Sequence, residues 1–238
     1  MYKRILPVMS AGLICSLVLF LATNLYAEKE IRVSYLKGGV FSGRTQTGPW
    51  KDLITGTTLK TGDFIRTDEN GMAELIMPDQ SVVRLAQNTR MNLDHISFPQ
   101  AGPRKFLATL LVGKMWAKVA KTSAGFRGGD FSARTPTAVI GVRGTVYNLK
   151  AGDDKSTNIY VYQGRVSVGP PSMVSGGPKQ EMAWPKEVSE KKWEEIILGK
   201  LQRLHIGADG RPGKPQSFDP IKVRDEWVIW NQKRDAGK

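Results

Sequence analysis

The chain has 238 residues, 40% of them hydrophobic and 24% charged, with a formal charge of +13. That composition suits one ordinary globular domain with appendages and excludes wholesale disorder. Cys15 is the only cysteine and lies in an N-terminal apolar segment, so disulfides, thiol catalysis and cysteine metal sites are excluded from everything beyond it.

Residues 1–27 read as a secretory signal peptide. Lys3 and Arg4 form the basic end, residues 5–22 are apolar, and Ala27 closes a cleavage site. Leu25 is larger than that site prefers, which leaves an uncleaved anchor as the alternative, and only then is the membrane a partner. The apolar run is near the lower limit for a span and contains Pro7. Either way the remainder is exported, to the periplasm or its equivalent. Without residues 1–27 the chain keeps 33 bases and 22 acids, a charge of +11, which suits anionic surfaces such as acidic glycans, acidic proteins or headgroups. The charges are scattered and fit a solvated surface equally well. Nucleic acid is disfavoured by compartment and by the lack of a basic stretch interleaved with aromatics.

Ile31 to Leu36 alternates cleanly and predicts an opening strand, with Gly38-Gly39 as a turn. Residues 40–50 predict a short strand and a loop that places Trp50 over the core. Two β-like runs, 64–67 and 72–77, flank Asp68-Glu69-Asn70-Gly71, the strongest hairpin signal in the chain. Ala73, Leu75 and Met77 are expected on one side and Glu74 on the other. Met91 and Leu93 are expected inward, and His95, with no ligand near it in sequence, reads as a surface or packing residue. Residues 97–104 form a linker. Residues 106–112 form a continuous apolar run that fits a strand or a short helix, and a turn at Gly113-Lys114 leads into 115–119.

The stretch 131–147, FSARTPTAVIGVRGTVY, reads as a strand, a proline bend and a second strand interrupted by Gly141 and Gly144. Arg143 between them either reaches water or uses its five-donor fork on the carbonyls of a neighbouring strand. A hairpin closes at Gly152-Asp153-Asp154, and this acidic pair is a solvated turn, since adjacent turn residues point apart. Apolar strands preceded by glycine recur at Gly38, Gly62, Gly113 and Gly164 at irregular spacings, a weak pseudo-repeat.

Gly169-Pro170-Pro171 opens a Gly/Pro-rich linker, 169–186. Beyond it, Trp193, Ile197, Leu201 and Leu204 fall on helical spacing, with Ser189 as N-cap and His205 at the C-terminal end. Asp219-Pro220 predicts the start of a last helix carrying Val223, Trp227 and Trp230 on one face. Residues 187–238 are therefore expected to be helical. Trp193, Trp227 and Trp230 either pack together and onto the β-domain or form a partner-docking arm.

The run Thr135, Pro136, then Ala138 through Gly141, Val142, Arg143, Gly144, Thr145 and Tyr147 resembles the signature of the FecR domain family. The segments at Gly62 to Thr67, Ala73-Glu74-Leu75, Pro78 to Ser81, Gly113 to Met115 and Gln163 to Val166 follow the same pattern in order and spacing. The resemblance spans about residues 36–168. With the alternation above it implies a mainly β fold, an antiparallel-rich rolled β-sandwich or β-solenoid-like domain over 28–168 with a short α-helical C-terminal appendage. It implies an extracytoplasmic binding and signalling module that works through protein–protein contact with an envelope partner. The best-known members join such a domain to a cytoplasmic segment that holds a sigma factor; here only four residues precede the apolar run, so that segment is not expected. With no nucleophile and base, carboxylate pair or cofactor motif in view, the chain is not expected to be an enzyme or to bind a cofactor or metal. The alternative is an envelope scaffold or acidic-glycan-associated structural protein, with an anionic envelope polymer as partner.

Overall fold

The computed structural model describes residues 30–99, 103–121, 129–171 and 195–237. The signal segment 1–27, most of the linker 169–186, Ser189 and Trp193 lie outside the described residues.

Two sheets face each other across one apolar core. Sheet I runs in the order β4 (Thr58–Leu59), β1 (Ile31–Lys37), β6 (Met72–Ile76), β7 (Val82–Leu85), β9 (Arg104–Lys118), β12 (Val146–Ala151), β13 (Thr157–Gln163), β16 (Gln202–Ile206) and β17 (Gln216–Ser217). Sheet II runs β3 (Lys51–Asp52), β2 (Val40–Gly43), β5 (Phe64–Thr67), β8 (Arg90–Ser97), β9, β10 (Gly129–Arg134), β11 (Val139–Val142), β14 (Val166–Gly169) and β15 (Ile196–Leu198). All these pairs are antiparallel except β9–β10, which is parallel. The expected mainly β, antiparallel-rich sandwich is what the chain forms.

Alternation explains which side chains enter the core. Ile31 and Val33 of β1, Ala73 and Leu75 of β6, Met91 and Leu93 of β8, and Leu149 of β12 are fully buried, because a pleated strand sends alternate side chains to one face. Strand β9 belongs to both sheets. Its residues 104–112 pair with β8 and β10, and 113–118 with β7 and β12. Gly113 makes the change of sheet. At φ +102 it adopts a conformation that L side chains rarely take, and a Cβ there would lie 2.6 Å from the Thr89 Cα. The turn expected at Gly113-Lys114 is thus a bend within one 15-residue strand.

The Asn70-Gly71 hairpin is corrected too. β5 pairs with β2 and β8, whereas β6 pairs with β1 and β7. The Asp68 to Gly71 turn carries the chain from sheet II to sheet I, held by the Asp68 N–H donating to the Gly39 carbonyl at 3.0 Å.

The helix expected through Ile197, Leu201 and Leu204 is instead two strands joined by a turn, β15 pairing with β14 in sheet II and β16 with β13 in sheet I. Leu201 has φ +59, incompatible with a helix, and Leu204 and Ile206 are buried with His205 exposed between them. The i, i+4, i+7 spacing coincided with a period of two around a turn. The last helix, α1 (Glu226–Asp235), starts later than Asp219-Pro220: Asp219 closes a preceding turn, and Asp225 is the N-cap, accepting from the Val228 N–H at 2.9 Å.

Candidate interaction surface

The signature residues meet at the β10–β11–β14 end of sheet II. Pro136 sits in the tight turn from β10 to β11, where Thr135 Oγ1 and Thr137 Oγ1 lie 2.6 and 2.7 Å from Thr157 Oγ1. This buried hydroxyl cluster ties the turn to β13 in the opposite sheet. In β11, Val142 faces the core, and Gly141 lies in register between Ser132 and Ser167. Gly144, at φ +61, makes the step from β11 in sheet II to β12 in sheet I. Thr145 is buried and donates to the Arg165 carbonyl at 2.7 Å, locking this step to the β13–β14 step beside it. Arg143 is exposed, so the carbonyl contact placed at this corner by sequence reasoning is made, at least in part, by Thr145.

Because Ser132, Gly141 and Ser167 carry so little side chain, the outer face of sheet II sinks there into a shallow depression of about 370 Å³. Arg143 and Arg165 border it and give it positive character, and Ile197, 50% exposed, forms its rim. Ile197 stands on β15, an edge strand that among the described residues pairs only with β14. The site therefore combines a shallow floor bordered by two arginines, an apolar rim and a strand edge with no second ladder partner among the described residues, the features used to accept an extended partner segment.

The outer face of sheet I is closed. Helix α1 lies over Trp116, Tyr162 and Ala86, with Trp227 and Val228 buried against them and Phe218 beside them. Trp227 and Trp230 stack at 5.6 Å, Trp230 also meets Tyr35, and the Trp227 indole donates to Asn148 Oδ1. Both tryptophans are thereby placed in the seam between helix and sheet, where their packing holds the helix down.

Charged groups fasten the same seam. Glu74 of β6 accepts from Arg84 Nε at 2.6 Å and from Arg234 Nε at 2.9 Å, with Ser34 Oγ at 2.8 Å. Arg84 also donates to Asp235 at 2.7 Å, and the Trp116 indole donates to the other Asp235 oxygen at 2.9 Å. Burial by itself would raise the Glu74 pKa, but the bonds from Arg234, Arg84 and Ser34 outweigh it and hold the carboxyl at about 2. Sequence reasoning missed this network. The only local hint was a carboxylate on the outward side of β6, and its partner Arg234 is 160 positions away.

A second buried pair, Arg104 with Asp79, bridges the ends of the two sheets, and Ser81 accepts from Arg104. Asp94, on the outer side of β8, has its pKa raised by burial, against the bonds it accepts from Thr109 and Asn92. His95 is exposed, and His205 Nδ1 lies 3.0 Å from Asn158 Oδ1 on the neighbouring strand. Asp153 and Asp154 are exposed, as a turn requires. Among the described residues, no cluster of three or more His, Cys, Asp or Glu could hold a metal ion, and no helix is long and apolar enough to cross a membrane.

Two solved structures of a candidate anti-sigma factor from Parabacteroides distasonis ATCC 8503 are similar to this chain. One is 20% identical with a TM-score of 0.49, covering 71% of this chain and 64% of its own; the other is 20% identical with a TM-score of 0.48, covering 67% and 62%. This chain therefore spans a little under two thirds of their length. No curated protein matches it. Residues 63–167, from the turn before β5 into β14, match the family described as FecR protein.

Proposed function

We propose that the chain is a non-enzymatic, extracytoplasmic binding and signalling module, acting through protein–protein contact with an envelope partner on the open face of sheet II. The observation that carries this reading is the asymmetry of the sandwich. α1 covers the outer face of sheet I with a hydrogen-bonded ion network, while no described residue covers the depression at Gly141 or pairs with the outer edge of β15. An extended segment of the partner would add to β15 through backbone bonds, with Ile197 and the small residues at Ser132, Gly141 and Ser167 deciding which side chains fit. The perturbed carboxyls support binding over catalysis, because Glu74 and Asp94 are each engaged by fixed neighbours.

The test is a photo-crosslinking residue introduced at Ser167 in intact cells. One defined envelope protein is expected in the crosslinked product. Ile197→Pro, which removes a backbone donor from the edge strand, should abolish it while the domain stays folded. Equal capture from a probe at Lys222, far from β15 in the chain and also exposed, or capture unaffected by Ile197→Pro, would sink the reading.

A further inference from the structure

Another part of the outer face of sheet II has a different chemistry. Register aligns Asp52, Phe41, Arg66 and Arg90 in one row across β3, β2, β5 and β8. The Arg66 guanidinium lies over the Phe41 ring at 4.7 Å and the Trp50 ring at 5.1 Å. Its Nε–H is buried and has no acceptor among the described residues. Arg90 stands directly opposite Arg66 and is exposed. Among the described residues neither arginine has a carboxylate within ion-pair distance; the nearby acid Asp63 is held by Arg44 at 3.0 Å, and Asp52 is opposite Phe41 at the end of the row.

Like charges facing each other across a ladder repel. A sheet that keeps two guanidiniums in register with no carboxylate partner among the described residues, one of them over two aromatic rings, is arranged to receive an anion between them. We propose that Arg66, Arg90 and Trp50 form a binding site for the carboxylate-bearing sugars of an acidic polysaccharide. The two forks take the carboxylate with directed, charge-assisted bonds, and the indole offers an apolar platform to the C–H face of the ring. A headgroup layer is attracted by diffuse charge and needs no such orientation, and an acidic peptide would not use the indole in this way. The site shares no residue with the Gly141 depression, so it stands or falls apart from the protein contact proposed there.

The full-length chain, purified in a neutral detergent, is titrated calorimetrically with an oligogalacturonate of defined length. Saturable binding is expected, weakened about tenfold or more by Arg66→Gln and by Arg90→Gln, as loss of a charge-assisted bond implies. Trp50→Ala should weaken it too, and Arg165→Gln, the same charge change at the depression, should leave it unchanged. Melting temperatures taken alongside separate binding from folding, and exposed Arg90 keeps the test valid if Arg66→Gln does not fold. No binding, or an equal loss in Arg165→Gln, overturns the proposal. So does tighter binding to polyglutamate that Trp50→Ala leaves intact, or to phosphatidylglycerol micelles, since each would assign the arginines to another class of partner.

Discussion

Glu74→Gln tests whether the charged seam beneath α1 holds the helix in place. In the folded chain the Glu74 carboxylate is 8% exposed and accepts from two arginines and a serine. Its fall from 4.5 to about 2 amounts to about 3 kcal/mol of stability at neutral pH. Since the folded-state value lies below the unfolded one, this contribution is complete above pH 4.5 and drains away as pH falls toward 2. Glutamine keeps the shape and one acceptor but not the charge, and leaves buried Arg84 with Asp235 and Asn231 as its remaining partners. Urea unfolding followed by tryptophan fluorescence should show the variant about 3 kcal/mol less stable at pH 7, and the gap between variant and wild type should close on acidification from pH 4.5. A gap below about 1 kcal/mol at pH 7, or one that stays constant as the pH is lowered, would refute the reasoning.

Gly113→Ala should destabilise the domain by about 2–4 kcal/mol in thermal unfolding, because the new Cβ meets Thr89 backbone and the residue must hold a positive φ. Thr145→Val keeps the volume but leaves the Arg165 carbonyl without its hydroxyl donor, so chemical denaturation should register a loss of about 1–3 kcal/mol. Arg104→Ala strands the buried Asp79 carboxylate and should cost about 3–5 kcal/mol, whereas Arg143→Ala, at an exposed position, should cost less than about 1 kcal/mol; a reversed order in melting temperatures would contradict both placements. Removing residues 195–238 should abolish the cooperative transition seen by differential scanning calorimetry, because Leu198, Leu204 and Ile206 belong to the main core.

What could be read from the sequence was whatever local periodicity encodes. The alternation at Ile31 to Leu36 and at Met91 and Leu93, the Thr135-Pro136 bend and the solvated Asp153-Asp154 turn all reflect steric rules acting within a few residues. The Asn70-Gly71 turn was visible as a turn, but a turn does not state whether the next strand returns to the same sheet or crosses to the other. The arm from Ile196 to Ile206 misled because a short apolar run broken by Gly199 satisfies both periods. The site itself was half legible. Gly141 and its neighbours stood out as a pattern, while the depression depends on Ser132 and Ser167 lining up with Gly141 across three strands. The Glu74 network joins residues up to 160 positions apart, and that Arg66 has no counter-ion among the described residues shows only when its strand neighbours are known.

The doubled membership of β9 has a consequence for how the molecule comes apart. Among the described residues, strands β1 to β8 pair only among themselves or with β9, and strands β10 to β17 likewise. All ladder hydrogen bonds between the earlier and later halves therefore run through one spine. A nick between Lys121 and Gly129 leaves the whole spine on the N-terminal piece, so every ladder hydrogen bond joining the two pieces is made to β9.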